Sequence, residues 1–271
     1  MKKIRNCIIF FSRLFFSKIF RLDVWSRDLK IKDFFFHKRI KYVSNKLRFI
    51  FIPEKKIGKY FIDSTLIKTN LCTLGEKYQT DKSPYNTILH RHPYTSIYDL
   101  LFSTLKNKKI NFAEIGILNN SSIRMWREYF PFAKIFGFEF NEKLIEKAKK
   151  EKLKNVYYKK IDVTNAQSIK NSFKSCQTKF EIIIDDSTHT FVDQIQIIKK
   201  SYNFLSDGGF LVIEDIPKKR IEYKEENFHR ELKGFLKYFD FVSFIDCNHI
   251  NKFSKGWSND KILVMVRNSK K

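Results

Sequence analysis

Between residues 110 and 266 short apolar runs alternate with polar stretches whose apolar residues recur every three or four positions. That change of period predicts strands and helices in turn. The runs at 110–117, 134–140, 155–161, 180–184 and 210–213 predict strands. The intervening stretches 121–130, 141–151, 166–173 and 192–205 predict helices, with Asn141 as an N-cap and Asp207-Gly208-Gly209 as a C-terminal turn. A polar helix is expected near 225–238, followed by two last strands at 241–247 and 261–266. Strands separated by helices form parallel βαβ units with right-handed crossovers. The last two strands are joined by residues 248–260 without a helical pattern, so an antiparallel hairpin is expected there. The expected class is therefore α/β, a Rossmann-like sheet of parallel strands with a C-terminal antiparallel hairpin.

The first residues follow another rule. Ile4, Ile8, Phe11, Phe15, Ile19 and Leu22 fall on one helical stripe, with Lys2, Lys3, Arg5, Arg13, Lys18 and Arg21 mostly off it. The apolar run 7–11 is far short of the ~20 residues that span a bilayer, and no secretory cleavage pattern follows it. Two readings stay open: a helix packed on the main domain or on a second subunit, and a peripheral membrane contact that would put a cytoplasmic protein at the inner membrane surface. Residues 1–75 are read as a basic, aromatic-rich extension and 76–271 as the main domain.

Composition adds limits. The 271 residues include 29 Phe, 8 Gly and 5 Pro, which excludes disorder and collagen-like repeats. Four Cys without CxxC spacing form no zinc pattern, so a reducing cytoplasm is the default. The net charge of +24 points to nucleic acid or an anionic membrane, or to a solvated surface that A/T-rich coding, with its Lys, Ile, Asn and Phe, would equally produce. Residues 1–60 hold 17 Lys/Arg against 4 Asp/Glu.

Against that basic background the predicted strand ends are acidic: Glu114-Ile115-Gly116, Glu139, Asp162, Asp185-Asp186 and Glu214-Asp215. Ligands of open α/β sheets bind at these ends. A single Gly at the first turn leaves no G-x-G-x-x-G cradle, and an acidic mouth repels a pyrophosphate. The pattern suits a cation bearing ribose hydroxyls and no phosphate, namely S-adenosylmethionine, with Glu139 accepting the hydroxyls. Asp185-Asp186-Ser187-Thr188-His189 beside Glu214-Asp215 offers hard oxygen ligands for Mg²⁺ or another divalent cation. Histidine as a residue type titrates near neutrality, so His189 is a candidate general base for a hydroxyl.

These residues resemble class I S-adenosylmethionine-dependent O-methyltransferases of the macrolide-sugar and glycan type, the mycinamicin and macrocin methyltransferases among them. The resemblance covers roughly residues 74–267. It rests on Tyr78-Gln79-Thr80-Asp81-Lys82, on His92, Tyr94 and Tyr98, on Glu114-Ile115-Gly116 with Ser122 and Met125-Trp126, on Asp185-Asp186-Ser187-Thr188-His189, and on Gly208-Gly209 through Glu214-Asp215. It implies a Rossmann-like methyltransferase sheet, Asp186, Glu214 and Asp215 as metal ligands, and His189 as the base. It implies a cofactor site lined by Glu114, Gly116, Ser122, Glu139, Asp162 and Asp185, covered by a segment holding Thr80, Asp81 and Lys82. The implied acceptor is a sugar hydroxyl of a glycan or nucleotide-sugar precursor. Asn120 stands where that family usually has Gly, and Asn tolerates positive φ better than other side chains. The alternative reading, an RNA methyltransferase, draws on the charge and the aromatics, but no RNA-binding module is recognisable, which disfavours a nucleic-acid partner. The extension is a candidate interface for a homo-oligomer.

Overall fold

The computed structural model describes residues 57–87 and 90–269, so the amphipathic stripe over residues 4–22 lies outside the described residues. Eight strands and seven α-helices follow one another as β1 (Gly58–Asp63), α1 (Asn70–Lys77), α2 (Thr95–Phe102), β2 (Asn111–Ile115), α3 (Ser121–Tyr129), β3 (Lys134–Glu139) and α4 (Glu142–Lys149). Then come β4 (Val156–Lys160), α5 (Ala166–Lys174), β5 (Phe180–Asp185), α6 (Phe191–Ser201), β6 (Leu205–Ile213), α7 (Glu225–Leu232), β7 (Phe239–Asn248) and β8 (Lys261–Arg267).

All eight strands join one sheet in the order β1-β7-β8-β6-β5-β2-β3-β4. β2 to β6 pair in parallel, whereas β8 is antiparallel to both β6 and β7, as the hairpin pattern requires. The sheet is covered on both faces, which explains the near-continuous apolar strands. Successive residues alternate between the two layers. Phe112, Ile182, Ile184 and Val212 pack with Trp126, Tyr98 and Phe102 of α2 and α3. Ala113, Ile115, Ile183, Leu211 and Ile213 pack with Phe173, Ile197, Ile198 and Phe228 of α5, α6 and α7. The capping expectation holds at α4, where the Asn141 side chain accepts from Lys143 N.

Two expectations are corrected. The helix predicted to reach residue 205 ends at Ser201, and Asp207-Gly208-Gly209 lies inside β6. There the pairing with β5 slips between Phe180 and Ile182, a bulge rather than a helix cap. Gly208 takes φ 75°, and a Cβ on Gly209 would stand 2.9 Å from the Phe180 carbonyl oxygen. The boundary at residue 75 also moves. β1 adds a parallel edge to β7 and α1 packs into the core through Leu71 and Leu74, so both belong to the sheet domain. Edge position leaves β1 with four exposed residues of six and an apolar run of only three, Tyr60-Phe61-Ile62, to announce it.

Candidate active site

The strand order reverses between β2 and β5, the place where open α/β sheets hold ligands. Here the strand ends are stitched together by the backbone. Gly116 N donates to Phe138 O at 2.8 Å, Asp186 N to Ile115 O at 2.8 Å and Glu214 N to Asp185 O at 2.9 Å. Gly116 takes φ 87°, and a Cβ on it would lie 2.0 Å from the Asp186 carbonyl oxygen. Only Gly permits this approach of two chains. Asn120 takes φ 67° ahead of α3, the conformation expected of it.

A cavity of about 360 Å³ opens above this junction, large enough for a small ligand. Among its lining residues are Thr80, Asp81, Gly116, Ser122, Glu139, Asp186 and His189. Glu139 is held by four backbone donors: Ile117 N and Leu118 N on Oε2, Phe140 N and Asn141 N on Oε1. Of the expected cofactor residues, Thr80, Gly116, Ser122 and Glu139 line the cavity; Glu114, Asp185, Asp162 and Lys82 do not. Asp162 is turned aside, its carboxylate accepting from Thr164 N and Oγ1. Asp185 is buried and accepts from Ser187 Oγ at 2.6 Å; burial raises its pKa to about 6.

Lys82 lies below the cavity floor, 1% exposed. Its ammonium is 2.5 Å from Asp186 Oδ2, 2.6 Å from Glu214 Oε2 and 3.2 Å from Glu114 Oε1. Burial works against its charge, and the three carboxylates outweigh that, raising its pKa. Glu114 also accepts from Ser122 Oγ, yet burial holds its pKa at about 7. Burial likewise raises Glu214, whose Oε1 accepts from Tyr98 OH at 2.5 Å.

A second group forms around His189. His189 Nε2 stands 3.8 Å from both Asp186 Oδ1 and Asp215 Oδ2. His189 and Asp215 both adopt left-handed backbone (φ 56° and 55°), a strain that neighbouring contacts must sustain. The contacts are present. Tyr223 OH donates to His189 O, while Thr188 and Thr190 hydroxyls both donate to Asp193 Oδ2. Asp215 Oδ1 accepts from Tyr94 OH at 2.6 Å. His92 lies behind it, with Nδ1 3.0 Å from Asp260 Oδ1 and Nε2 3.7 Å from Asp215 Oδ2. Burial opposes protonation of His92, but Asp215 and the Asp260 hydrogen bond outweigh it and lift its pKa to about 9. Burial pushes Asp215 up; the facing imidazoles of His92 and His189 and the Tyr94 hydrogen bond win and lower it.

The sequence motif did not assign roles to His92, Tyr94 and Tyr98. Their spacing carries the signal: His92 and Tyr94 approach Asp215, and Tyr98, one helical turn on, reaches Glu214.

The donor set fits a divalent cation in part. Asp186, His189 and Asp215 each offer an atom within 4.8 Å of the others. Glu214, expected as a third carboxylate ligand, is instead turned to Lys82 and Tyr98.

A family profile described as a methyltransferase domain matches residues 119–261, more than half of the sequence. The chain belongs to this methyltransferase-domain family. Among the curated relatives of this methyltransferase domain, a tetracenomycin-C rhamnosyl 3'-O-methyltransferase of Streptomyces olivaceus is 26% identical over 132 residues, covering 46% of this chain and 32% of its own. Mycinamicin VI 2''-O-methyltransferase of Micromonospora griseorubida is 24% identical over 156 residues, 55% of this chain and 36% of its own. Demethylmacrocin O-methyltransferase of Streptomyces fradiae is 25% identical over 159 residues, 56% and 38% respectively. The chain thus spans about a third of the length of these relatives. Among solved structures, the MycE methyltransferase in complex with Mg, SAH and mycinamycin VI superposes with a TM-score of 0.55 at 17% identity, covering 74% of this chain and 55% of that one. That likeness is one of fold, and it agrees with the Rossmann-like class read from the sequence.

Proposed function

We propose that this methyltransferase domain moves the methyl group of S-adenosylmethionine to a sugar hydroxyl, with His189 as general base. The observation that carries the reading is the position of His189, at the cavity lined by Gly116, Ser122 and Glu139 and 3.8 Å from two carboxylates. The sugar O-methyltransferase relatives support the acceptor class.

In this account Glu139 takes the ribose hydroxyls, exchanging backbone partners for them, and the acidic floor suits the sulfonium and amino group. The acceptor hydroxyl gives its proton to His189 Nε2 while its oxygen attacks the methyl carbon in line. The carbon–sulfur bond breaks and its electron pair stays on sulfur, leaving neutral S-adenosylhomocysteine. Alignment of the two reactants can supply several kcal/mol, up to ~10, of the barrier reduction. Asp186 and Asp215, each 3.8 Å from His189 Nε2, favour the imidazolium that forms, and Tyr94 and His92 hold Asp215 in turn. Asp186 and Asp215 would hold a divalent cation; when bound, it lowers the pKa of a nearby hydroxyl.

The test is transfer of labelled methyl from S-adenosylmethionine to a panel of sugars and nucleotide sugars, with and without chelator. Label appearing in a sugar ether, and only there, is the expected result. Cofactor binding with label recovered in RNA would replace this reading by the RNA methyltransferase.

A further inference from the structure

We infer that the acceptor sugar carries a phosphate or diphosphate group, recognised by a basic and aromatic rim beside His189; this rests on the sugar O-methyltransferase reading above. Two segments build the rim. Residues 216–221 leave Asp215 and contain Lys218, Lys219 and Arg220 with no acid. Residues 249–260 connect β7 to β8 and contain Lys252 and Lys255, with a single acid, the buried Asp260, at their end. The segments are tied together by Ile216 N on Lys261 O (2.9 Å) and Lys218 N on Ser258 O (2.7 Å).

Both ends of the first segment touch the site. Asp215 precedes it, and beyond the exposed Glu222 the Tyr223 hydroxyl donates to the His189 carbonyl at 2.7 Å. Arg220 is three residues from Tyr223, at most about 11 Å of chain. The rim thus adjoins the site through the chain, and although none of its residues lines the cavity, a substrate extending out of the cavity from His189 can meet it.

Two arginine–aromatic pairs project from it. The Arg220 guanidinium sits 5.3 Å from the centre of the Trp257 ring, and Arg91 sits 5.4 Å from that of Phe253. Arg91 is fixed there by a two-way backbone bridge with Phe253 (2.8 and 3.0 Å). Its Nε is buried without a hydrogen-bond partner, and Trp257 is half exposed. Lys218 and Lys252 have carboxylates at 3.8 and 3.9 Å, Asp246 and Asp260. Among the described residues, Arg91, Lys219, Arg220 and Lys255 pair with no carboxylate. Exposed aromatic faces suit a sugar ring or a base, and unpaired guanidinium groups suit phosphate oxygens in fork geometry.

The floor of the site pairs Asp186, Glu214 and Asp215 with the buried Lys82 and His92, whereas the rim beside it carries cations without a carboxylate partner. A compact anion joined to a neutral sugar satisfies both, whereas a polyanionic backbone laid across the site meets the carboxylates. This favours a phosphorylated sugar over RNA.

The experiment is calorimetric titration of the whole chain, free and loaded with S-adenosylhomocysteine, at about 50 mM salt, where such charge contacts are least screened. The probes are uridine diphosphate, glucose 1-phosphate, methyl glucoside and a short RNA. Both phosphates are expected to bind and methyl glucoside to bind more weakly. The Lys219→Ala/Arg220→Ala variant is expected to weaken phosphate binding at least about tenfold, the loss expected from one charge-assisted contact. Affinity for S-adenosylhomocysteine should not change. Uridine diphosphate binding more tightly identifies a nucleotide-linked sugar; glucose 1-phosphate binding more tightly identifies a phosphorylated glycan. The inference is overturned if the chain binds S-adenosylhomocysteine but neither phosphate, if the double variant binds phosphates as well as wild type, or if RNA binds more tightly than both. Failure to bind S-adenosylhomocysteine would instead strike the methyltransferase reading, with phosphate binding to the free chain still measured.

Discussion

Substituting Lys82 by Met removes the one ammonium that touches Asp186, Glu214 and Glu114 at 2.5, 2.6 and 3.2 Å. Met fills similar volume, so the loss is one of charge rather than packing. Breaking a buried pair by removing one partner costs about 3–5 kcal/mol. For a domain of this size that corresponds to roughly 6–20 °C in Tm. The pH dependence identifies the cause. Without the ammonium the carboxylates take up protons in the folded state at higher pH than in the unfolded chain, where Glu titrates near 4.5. The folded state then binds more protons, so stability falls as pH rises. The penalty is small near the unfolded value and grows through the folded values, about 7 for Glu114 even with Lys82 present. Thermal unfolding of Lys82→Met and wild type in chelator, at several pH values from 5 to 8 (about one unit apart), should show a gap that widens with pH. Equal stability throughout, or a gap independent of pH, would refute the reasoning.

Other substitutions test separate parts of the site. His189→Gln should lower kcat by roughly 10²–10⁴-fold with S-adenosylhomocysteine affinity retained, measured by single-turnover kinetics and calorimetry; full activity would remove the base. Gly116→Ala should abolish cofactor binding, because the added Cβ would meet the Asp186 carbonyl oxygen at 2.0 Å. His92 has a folded pKa of about 9 against 6.5 unfolded. Its charge therefore stabilises fully below 6.5 and is lost as pH rises through 9, a decline in Tm that His92→Gln should lack.

Period and spacing made β2, β3, β5 and β6 legible because covered parallel strands must be largely apolar. They missed β1, whose exposed edge needs no apolar run, and misread Asp207-Gly208-Gly209, because glycines serve a bulge and a helix cap alike. In the site, the acids that end strands were readable one by one. Their partners were not. Lys82 is 104 residues from Asp186 and 132 from Glu214, and only the folded chain brings its ammonium to them. For the same reason sequence could not reveal that Glu214 turns to Lys82 and Tyr98 while His189 joins Asp186 and Asp215.

Equilibrium binding of S-adenosylhomocysteine to wild type and to Gly116→Ala bears most directly on the strand-end pocket. One molecule per chain, with a dissociation constant of about 1 μM–1 mM as is usual for enzyme ligands, and no binding to the variant, is the result expected. No heat with wild type at saturating ligand, or equal binding by the variant, would contradict it.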